Sequence, residues 1–253
     1  MEAQRVIVTG GNGDIGCAMG ARLFRDGFSV TLLDLKAPSE VSQEVKALLA
    51  LSQSGHEVTY RQVDVTDRAR VDEVLSEFES DLVAVLANAG IVKSEPFLDI
   101  TESYWNQHLE TNLTGVFHTL QSAAKIFVKN KRPGQIIITG SWVGSVPWPE
   151  IASYSATKAA VEMLAKSAAR ELAEHKVRVN VIAPGIVNAG LAKHQLKTEP
   201  QYAARVAKVI PLKELQTAEQ VADIASFLCS KSGDYLTGST ILADGGASLF
   251  QFD

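Results

Sequence analysis

Arg5-Val6-Ile7-Val8-Thr9-Gly10-Gly11-Asn12-Gly13-Asp14-Ile15-Gly16 runs from a β-branched segment straight into a cluster of glycines. The first five residues read as a short strand buried on both faces. A helical stretch follows from Cys17 to Asp26 and closes at Gly27. Strand, glycine-rich turn and helix in that order gather free backbone N–H groups and the positive end of a helix dipole at one point, which suits a pyrophosphate. Glycine loops also serve as plain tight turns, so a second feature is needed. It comes from the next strand, Phe28 to Leu33, which ends in Asp34, 18 residues after Gly16. A carboxylate there can accept both hydroxyls of an adenosine ribose. Together the two features predict dinucleotide binding.

The alternation continues outward from this unit. Ser39–Ser54 is predicted helical, with Val41, Val45, Leu48 and Leu49 on one side. Val58–Val63 is a strand ending in Asp64-Val65, Asp67–Glu79 a helix, and Leu82–Leu86 a buried strand ending in Ala87-Asn88-Ala89-Gly90. A long helix from Thr101 to Asn130 contains Asn112-Leu113-Thr114-Gly115. Gln135–Thr139 is a strand ending in Gly140-Ser141, followed by a helix from Ser153 to about Glu174. Val177–Ala183 closes in Pro184-Gly185, and Ser239–Ala243 ends at Asp244-Gly245-Gly246. This rhythm predicts one doubly wound, Rossmann-type α/β domain over residues 1–253, a parallel sheet of about seven strands with helices on both faces. Its cofactor half spans about residues 1–130 and its catalytic and substrate half about residues 131–253. Such sheets bind ligands at the carboxyl ends of their strands. Every motif quoted above sits at such an end or on the helix that follows.

Composition narrows the function classes. The 253 residues are 46% hydrophobic and 21% charged, an ordinary globular balance. A net charge of −5 argues against a broad nucleic-acid-binding surface. Cys17 and Cys229 show no metal-ligand or redox spacing, which suits a reducing cytoplasm. Residues 1–9 run into the first strand without a basic-then-apolar leader, and no apolar run reaches the ~18 residues of a membrane span. His56, His108, His118, His175 and His194 show no ligand spacing, so no metal is expected.

Tyr154-Ser155-Ala156-Thr157-Lys158 carries the chemistry. A tyrosine and a lysine four apart on a helix lie one turn from each other on one face. A free phenol titrates near ~10, and an ammonium held close stabilises the phenolate and lowers that value, so the pair can move protons. The spacing alone is common on solvated helices. Its place after the fifth strand of a dinucleotide-type sheet gives it meaning.

Taken together, the chain resembles a short-chain dehydrogenase/reductase over essentially its full length. The family pattern T-G-x-x-x-G-x-G corresponds to Thr9 through Gly16, N-A-G to Asn88-Ala89-Gly90, and the helix asparagine to Asn112. The serine 13 residues before the tyrosine is Ser141, Y-x-x-x-K is Tyr154 to Lys158, and P-G is Pro184-Gly185. The tail Tyr235-Leu236-Thr237-Gly238 with Asp244-Gly245-Gly246 also fits. The resemblance implies an NAD(H)-dependent oxidoreductase. It would move a hydride to or from a secondary alcohol or ketone, such as a sugar, polyol or other small hydroxy compound. A 3-oxoacyl thioester reductase and a non-catalytic nucleotide-sensing or scaffold protein on the same fold remain the alternatives.

The resemblance also implies roles. Tyr154 is the general acid/base, and Lys158 lowers its pKa and holds the nicotinamide ribose. Ser141 polarises the substrate oxygen, and Asn112 supports a water that connects Lys158 to solvent. The cofactor is expected against Gly10, Asn12, Gly13, Asp14 and Ile15, then Asp34 and Leu35, Asp64 and Val65, and Asn88, Ala89 and Gly90. Further along it meets Thr139, Tyr154, Lys158, Pro184, Gly185, Val187 and Ala189. Asn88 and Asp64 are expected to position backbone near the adenosine half and brace the sheet edge, or else to be ordinary strand-end turn residues. The substrate is expected against Ser141, Val143, Trp148, Tyr154 and Gly185. Trp142, Val143, Val146, Trp148 and Pro149 form either an apolar or sugar-stacking wall or packing within their own loop. Residues 190–212 correspond to a mobile segment that sets substrate choice.

Two positions depart from the pattern. Asp14 stands at the second glycine and is expected to point away from the phosphates, toward the nicotinamide-side ribose. Ala189 stands where the family commonly has a threonine on the nicotinamide carboxamide, a contact that Asn188 is expected to replace. Family members pair the helices 101–130 and 153–174 across two-fold axes, so a homotetramer is expected, with Ser248-Leu249-Phe250-Gln251-Phe252 near an interface.

Overall fold

Val6 and Val8 on one side of the first strand and Ile7 on the other have no exposed surface, so that strand is covered on both faces. In the computed structural model, which describes residues 4–51 and 55–249, it is an interior strand, third in order, of a seven-stranded parallel sheet. The strands are β1 (Arg5–Thr9), β2 (Ser29–Asp34), β3 (Val58–Gln62), β4 (Leu82–Ala87), β5 (Gly134–Thr139), β6 (Val177–Pro184) and β7 (Thr240–Ala243), ordered β3-β2-β1-β4-β5-β6-β7. The helices are α1 (Asp14–Arg25), α2 (Gln43–Leu49), α3 (Arg68–Ser76), α4 (Glu102–Leu109), α5 (Gly115–Lys129), α6 (Ala152–Leu172), α7 (Gly190–Thr198), α8 (Pro200–Val209) and α9 (Ala218–Cys229).

Helices α3, α5 and α6 cover one face through Val74, Leu120, Phe127 and Val161, packed on Ile7, Val85, Ile136 and Val179. Helices α1, α2 and α9 cover the other through Met19, Leu23, Val45 and Leu228, packed on Val6, Val8, Leu32 and Ile182. The chain runs outward from β1 to β2 and β3, then returns to β4 on the other side. That reversal opens a crevice at the carboxyl ends of β1 and β4. Thr9 stitches its floor. Its hydroxyl accepts the N–H groups of Asn88 and Ala89, both at 3.0 Å, and donates to the Leu86 carbonyl at 3.3 Å.

Four local details differ from the sequence reading. Helix α1 starts at Asp14 inside the glycine loop, because Gly13 is extended and serves as its N-cap. A Cβ on Gly16 would lie 2.1 Å from the Gly10 carbonyl oxygen, so only glycine lets this first turn close over the strand end. The helix expected over 39–54 reduces to one 3-10 turn at Pro38–Glu40 and the short α2, whose cap is Ser42 Oγ accepting from Val45 at 3.2 Å. Residues 52–54 lie outside the described residues. The long helix is interrupted by a π-turn at Glu110–Thr114 between α4 and α5. Helix α9, absent from the reading above, lies along α1 and buries Val221, Ala222, Ala225 and Leu228.

Candidate active site

A cavity of about 370 Å³ opens over the carboxyl ends of the central strands. Of the residues assigned from sequence, Gly10, Gly13, Asp14, Ile15, Asp34, Asn88, Ala89, Gly90 and Thr139 line it. So do Ser141, Val143, Trp148, Tyr154, Lys158, Pro184, Gly185, Val187 and Ala189. Asn12, Leu35, Asp64, Val65 and Asn112 stand outside that lining. Asn12 donates its backbone N–H to Asp34 Oδ2 at 2.9 Å, and its Oδ1 accepts the Ser42 N–H at 2.8 Å, so it fixes the loop against the start of α2. Asp64 Oδ1 accepts the N–H and hydroxyl of Thr66 at 2.9 and 2.8 Å, closing the turn before α3. Val65 is buried and fills the space above Gly115, while Leu35 is exposed beside Asp34.

Asn88 braces the middle of the sheet, not its edge. Its Nδ2 donates to the Thr9 carbonyl at 3.1 Å, and its Oδ1 accepts the Thr139 hydroxyl at 3.0 Å, tying β1, β4 and β5 together. Lys158 is buried, and its Nζ donates to the Thr139 carbonyl at 2.7 Å while lying 5.4 Å from the centre of the Tyr154 ring. Burial pushes this ammonium down to about 8. Burial also pushes the Tyr154 phenol up to about 12, with a hydrogen bond to Ser141 pulling the other way. The expected lowering of the phenol by Lys158 therefore runs opposite to the direction found. Loss of water around the ring outweighs an ammonium whose hydrogen bond goes to a carbonyl. A protonated phenol and a serine hydroxyl beside a buried cation can hand a proton to an oxygen and stabilise charge developing there.

Asn112 sits in the π-turn. Its Oδ1 accepts the N–H of Ile91 and its Nδ2 donates to the Ile91 carbonyl, both at 2.8 Å, with Thr157 Oγ1 at 3.4 Å. These partners give it a bracing position, clamping the segment after Gly90 against α6. The extra residue of the π-turn presents its side chain inward.

The glycine loop fits a nicotinamide dinucleotide. The first-turn N–H groups of α1 have no intrahelical carbonyl to meet, Gly16 leaves no room for a Cβ, and Asp34 places a carboxylate at the end of β2. A family model described as enoyl-(acyl carrier protein) reductase matches residues 11–248. The chain belongs to the short-chain dehydrogenase/reductase family. It is an oxidoreductase of CH–OH donors. It is 32% identical over 253 residues to 3beta-hydroxysteroid dehydrogenase 1 of Eggerthella lenta, covering 99% of this chain and 95% of that one. It is also 32% identical over 251 residues to the L-2,3-butanediol dehydrogenase of Corynebacterium glutamicum, covering 95% and 96%. A crystal structure described as a putative 2-deoxy-D-gluconate 3-dehydrogenase from Agrobacterium tumefaciens with bound NADP superposes with a TM-score of 0.87. It is 26% identical, covering 99% and 98%.

Within this dehydrogenase/reductase, the two departures from the family pattern lie in different surroundings. Asp14 Oδ2 accepts the N–H of Gly190 at 3.0 Å, so its carboxylate is turned to the start of α7. Asn188 is exposed and outside the cavity lining, whereas Ala189 is part of it. The wall near Tyr154 is aromatic. Trp142 and Trp148 meet edge to face with centres 5.3 Å apart, and Trp148 meets Tyr202 of α8 at 6.5 Å. Both sequence readings of this loop therefore apply, since Trp148 packs on its neighbours and lines the cavity.

Sequence reasoning missed Ser94, Glu150, Ile186, Gln195, Tyr202 and Arg205 in the lining. Glu150 carried no motif, yet it has φ +67 at the tip of the loop before α6 and its carbonyl accepts the Glu95 N–H at 2.7 Å. Gln195, Tyr202 and Arg205 lie on α7 and α8, in the segment whose composition gave no motif.

Proposed function

We propose that this chain is an NAD(H)-dependent dehydrogenase of secondary alcohols, with a small hydroxylated compound of the sugar or polyol type as its substrate. Bound nicotinamide supplies a hydride acceptor or donor. Tyr154 moves the accompanying proton at the substrate oxygen, and Ser141, hydrogen-bonded to that phenol, steadies the same oxygen. Lys158, buried against Thr139, holds positive charge next to the phenol and toward the nicotinamide-side ribose. Trp142, Val143 and Trp148 exclude water from the substrate end. The observation that carries this reading is the convergence of Ser141, Tyr154 and Lys158 in the cavity that Asp34 and the glycine loop also line.

The test is a panel of sugars, polyols, hydroxy acids and 3-hydroxyacyl thioesters, followed through NADH absorbance with NAD and NADP in parallel. A polyol or sugar giving the highest kcat/KM with NAD is the expected result. Preference for a 3-hydroxyacyl thioester would move the assignment to the thioester reductase.

Location and assembly complete the proposal. Burial raises the Cys17 and Cys229 thiols to about 11 and about 12, the state of inert thiols, and a reducing cytoplasm is the location proposed. Among the described residues no helix is long and apolar enough to cross a membrane. Trp105, Phe117 and Met163 on α4, α5 and α6 leave apolar surface exposed, as do Phe227 and Leu242 on α9 and β7. Two such faces on one chain suit a closed tetramer. Of the tail expected at an interface, Leu249 is 78% exposed, and Phe250, Gln251 and Phe252 lie outside the described residues. Light scattering at micromolar concentration should give four times the chain mass, and a monomer would rule the assembly out.

A further inference from the structure

Asp14 belongs to two helices at once. It is the first residue of α1, and its Oδ2 accepts the N–H of Gly190, the first residue of α7, at 3.0 Å. The N-cap residue of α7 is Ala189, which offers no side-chain oxygen and makes no cap hydrogen bond. This helix therefore takes its capping carboxylate from a loop 176 residues earlier. Gly190 has φ +48 with open space around it, a left-handed conformation suited to glycine that turns its N–H toward the loop. A glycine at position 14, as in the family pattern quoted above, could make no such bond.

We propose that Asp14 is a positioning residue that ties the cofactor loop to α7 and thereby sets how the substrate segment closes. Helix α7 contributes Leu191, Ala192 and Gln195 to the cavity wall, and α8 contributes Tyr202 and Arg205. An untethered start of α7 loosens that whole wall. The carboxylate lies where helix dipole and free N–H groups favour negative charge. The second half of the proposal rests on the cofactor reading. A dinucleotide diphosphate seated on the first turn of α1 competes for those N–H groups and repels the carboxylate. The Gly190 N–H is then the partner left to Asp14, so bound dinucleotide strengthens the tie. By reciprocity the tie strengthens the hold on the dinucleotide.

Amide hydrogen exchange on the wild-type chain and on Asp14→Gly and Asp14→Asn, each with and without NADH, tests this. Without nucleotide, the amides of residues 190–194 in Asp14→Gly should exchange roughly five-fold faster, the size of one screened charge-assisted hydrogen bond. Those of α9 should keep wild-type protection. Asp14→Asn retains an acceptor oxygen and should fall between the two. NADH should slow exchange at 190–194 in the wild type and much less in Asp14→Gly. Release of NADH, followed by stopped-flow fluorescence, should be several-fold faster from Asp14→Gly than from Asp14→Asn, since both lack the repelling charge and only the second keeps an acceptor for Gly190. Unchanged exchange at 190–194 in Asp14→Gly overturns the tie. A rise spread equally over α9 also overturns it, because the effect would then be general loosening. Equal protection by NADH in wild type and variant overturns the coupling. If the wild type does not bind NADH, the cofactor reading fails instead, and the exchange without nucleotide still decides the tie.

Discussion

Tyr154→Phe is expected to lower kcat by on the order of 10²–10⁴-fold while leaving NADH affinity nearly intact, because only the proton-carrying hydroxyl is removed. The ring stays in the apolar cluster with Trp148 and Ile151, so the variant should fold as the wild type does. Isothermal titration with NADH beside steady-state turnover separates the two effects. Retention of a tenth of the wild-type activity would remove Tyr154 from the acid/base role. The pH profile supplies an independent check. Burial holds the phenol up to about 12 and the Lys158 ammonium down to about 8. Alcohol oxidation needs the proton-accepting form, so its rate should rise with pH, with an apparent midpoint that belongs to the pair. Lys158→Met removes the cation that favours phenolate and leaves burial opposed only by the Ser141 hydrogen bond, so the alkaline limb should move upward toward the buried phenol's own value. A midpoint that stays in place in Lys158→Met would show that the ammonium does not tune the phenol.

The second large effect is cofactor choice. The Asp34 oxygens accept the backbone N–H groups of Asn12 and Lys36 at 2.9 and 3.2 Å, which fixes the carboxylate at the end of β2. A 2′-phosphate would bring about two more negative charges within a few Å, a repulsion that solvent reduces without removing. Among residues 10–16 there is no arginine or lysine to offset it. Lys36 is exposed, and its carbonyl accepts the Tyr60 hydroxyl at 2.7 Å, so its backbone is held beside Asp34. NAD(H) should exceed NADP(H) by at least ~100-fold in kcat/KM, about 2.7 kcal/mol of transition-state binding. Combining Asp34→Ser with Leu35→Arg should shrink or invert that ratio, since Leu35 is already exposed and its replacement disturbs no packing. Equal turnover of NADPH and NADH by the unmodified enzyme would sink this reading of Asp34 and direct attention to Lys36.

How much of this was legible in the sequence follows from which constraints are local. β1, the glycine loop and Asp34 were readable because a strand buried on both faces leaves an unbroken apolar run, and a first turn that admits no Cβ at Gly16 leaves glycine. Tyr154 and Lys158 were readable because one helical turn fixes their relation. Helix α9 was legible but passed over. Thr217 and Gln220 form a capping box ahead of Val221, Ala225 and Leu228, a pattern that needs no structure to see. The walls contributed by α7 and α8 were not legible, since Gln195, Tyr202 and Arg205 acquire meaning only from the cavity beside them. The same holds for the contact of Asp14 with Gly190 and for the direction of the Tyr154 shift. Both depend on what tertiary packing brings close or shields from water.

The π-turn at Glu110–Thr114 also absorbs one residue more than an α-helical turn would hold. One residue advances an α-helix by about 100°. In the present phase α5 turns Val116, Leu120, Ala123 and Phe127 toward the sheet. Deleting that extra residue would let the turn close as ordinary α-helix and leave the stripe on the sheet. The same deletion would unhook Asn112 from Ile91. Core register thus survives without the extra residue, and the hold of Asn112 on Ile91 does not.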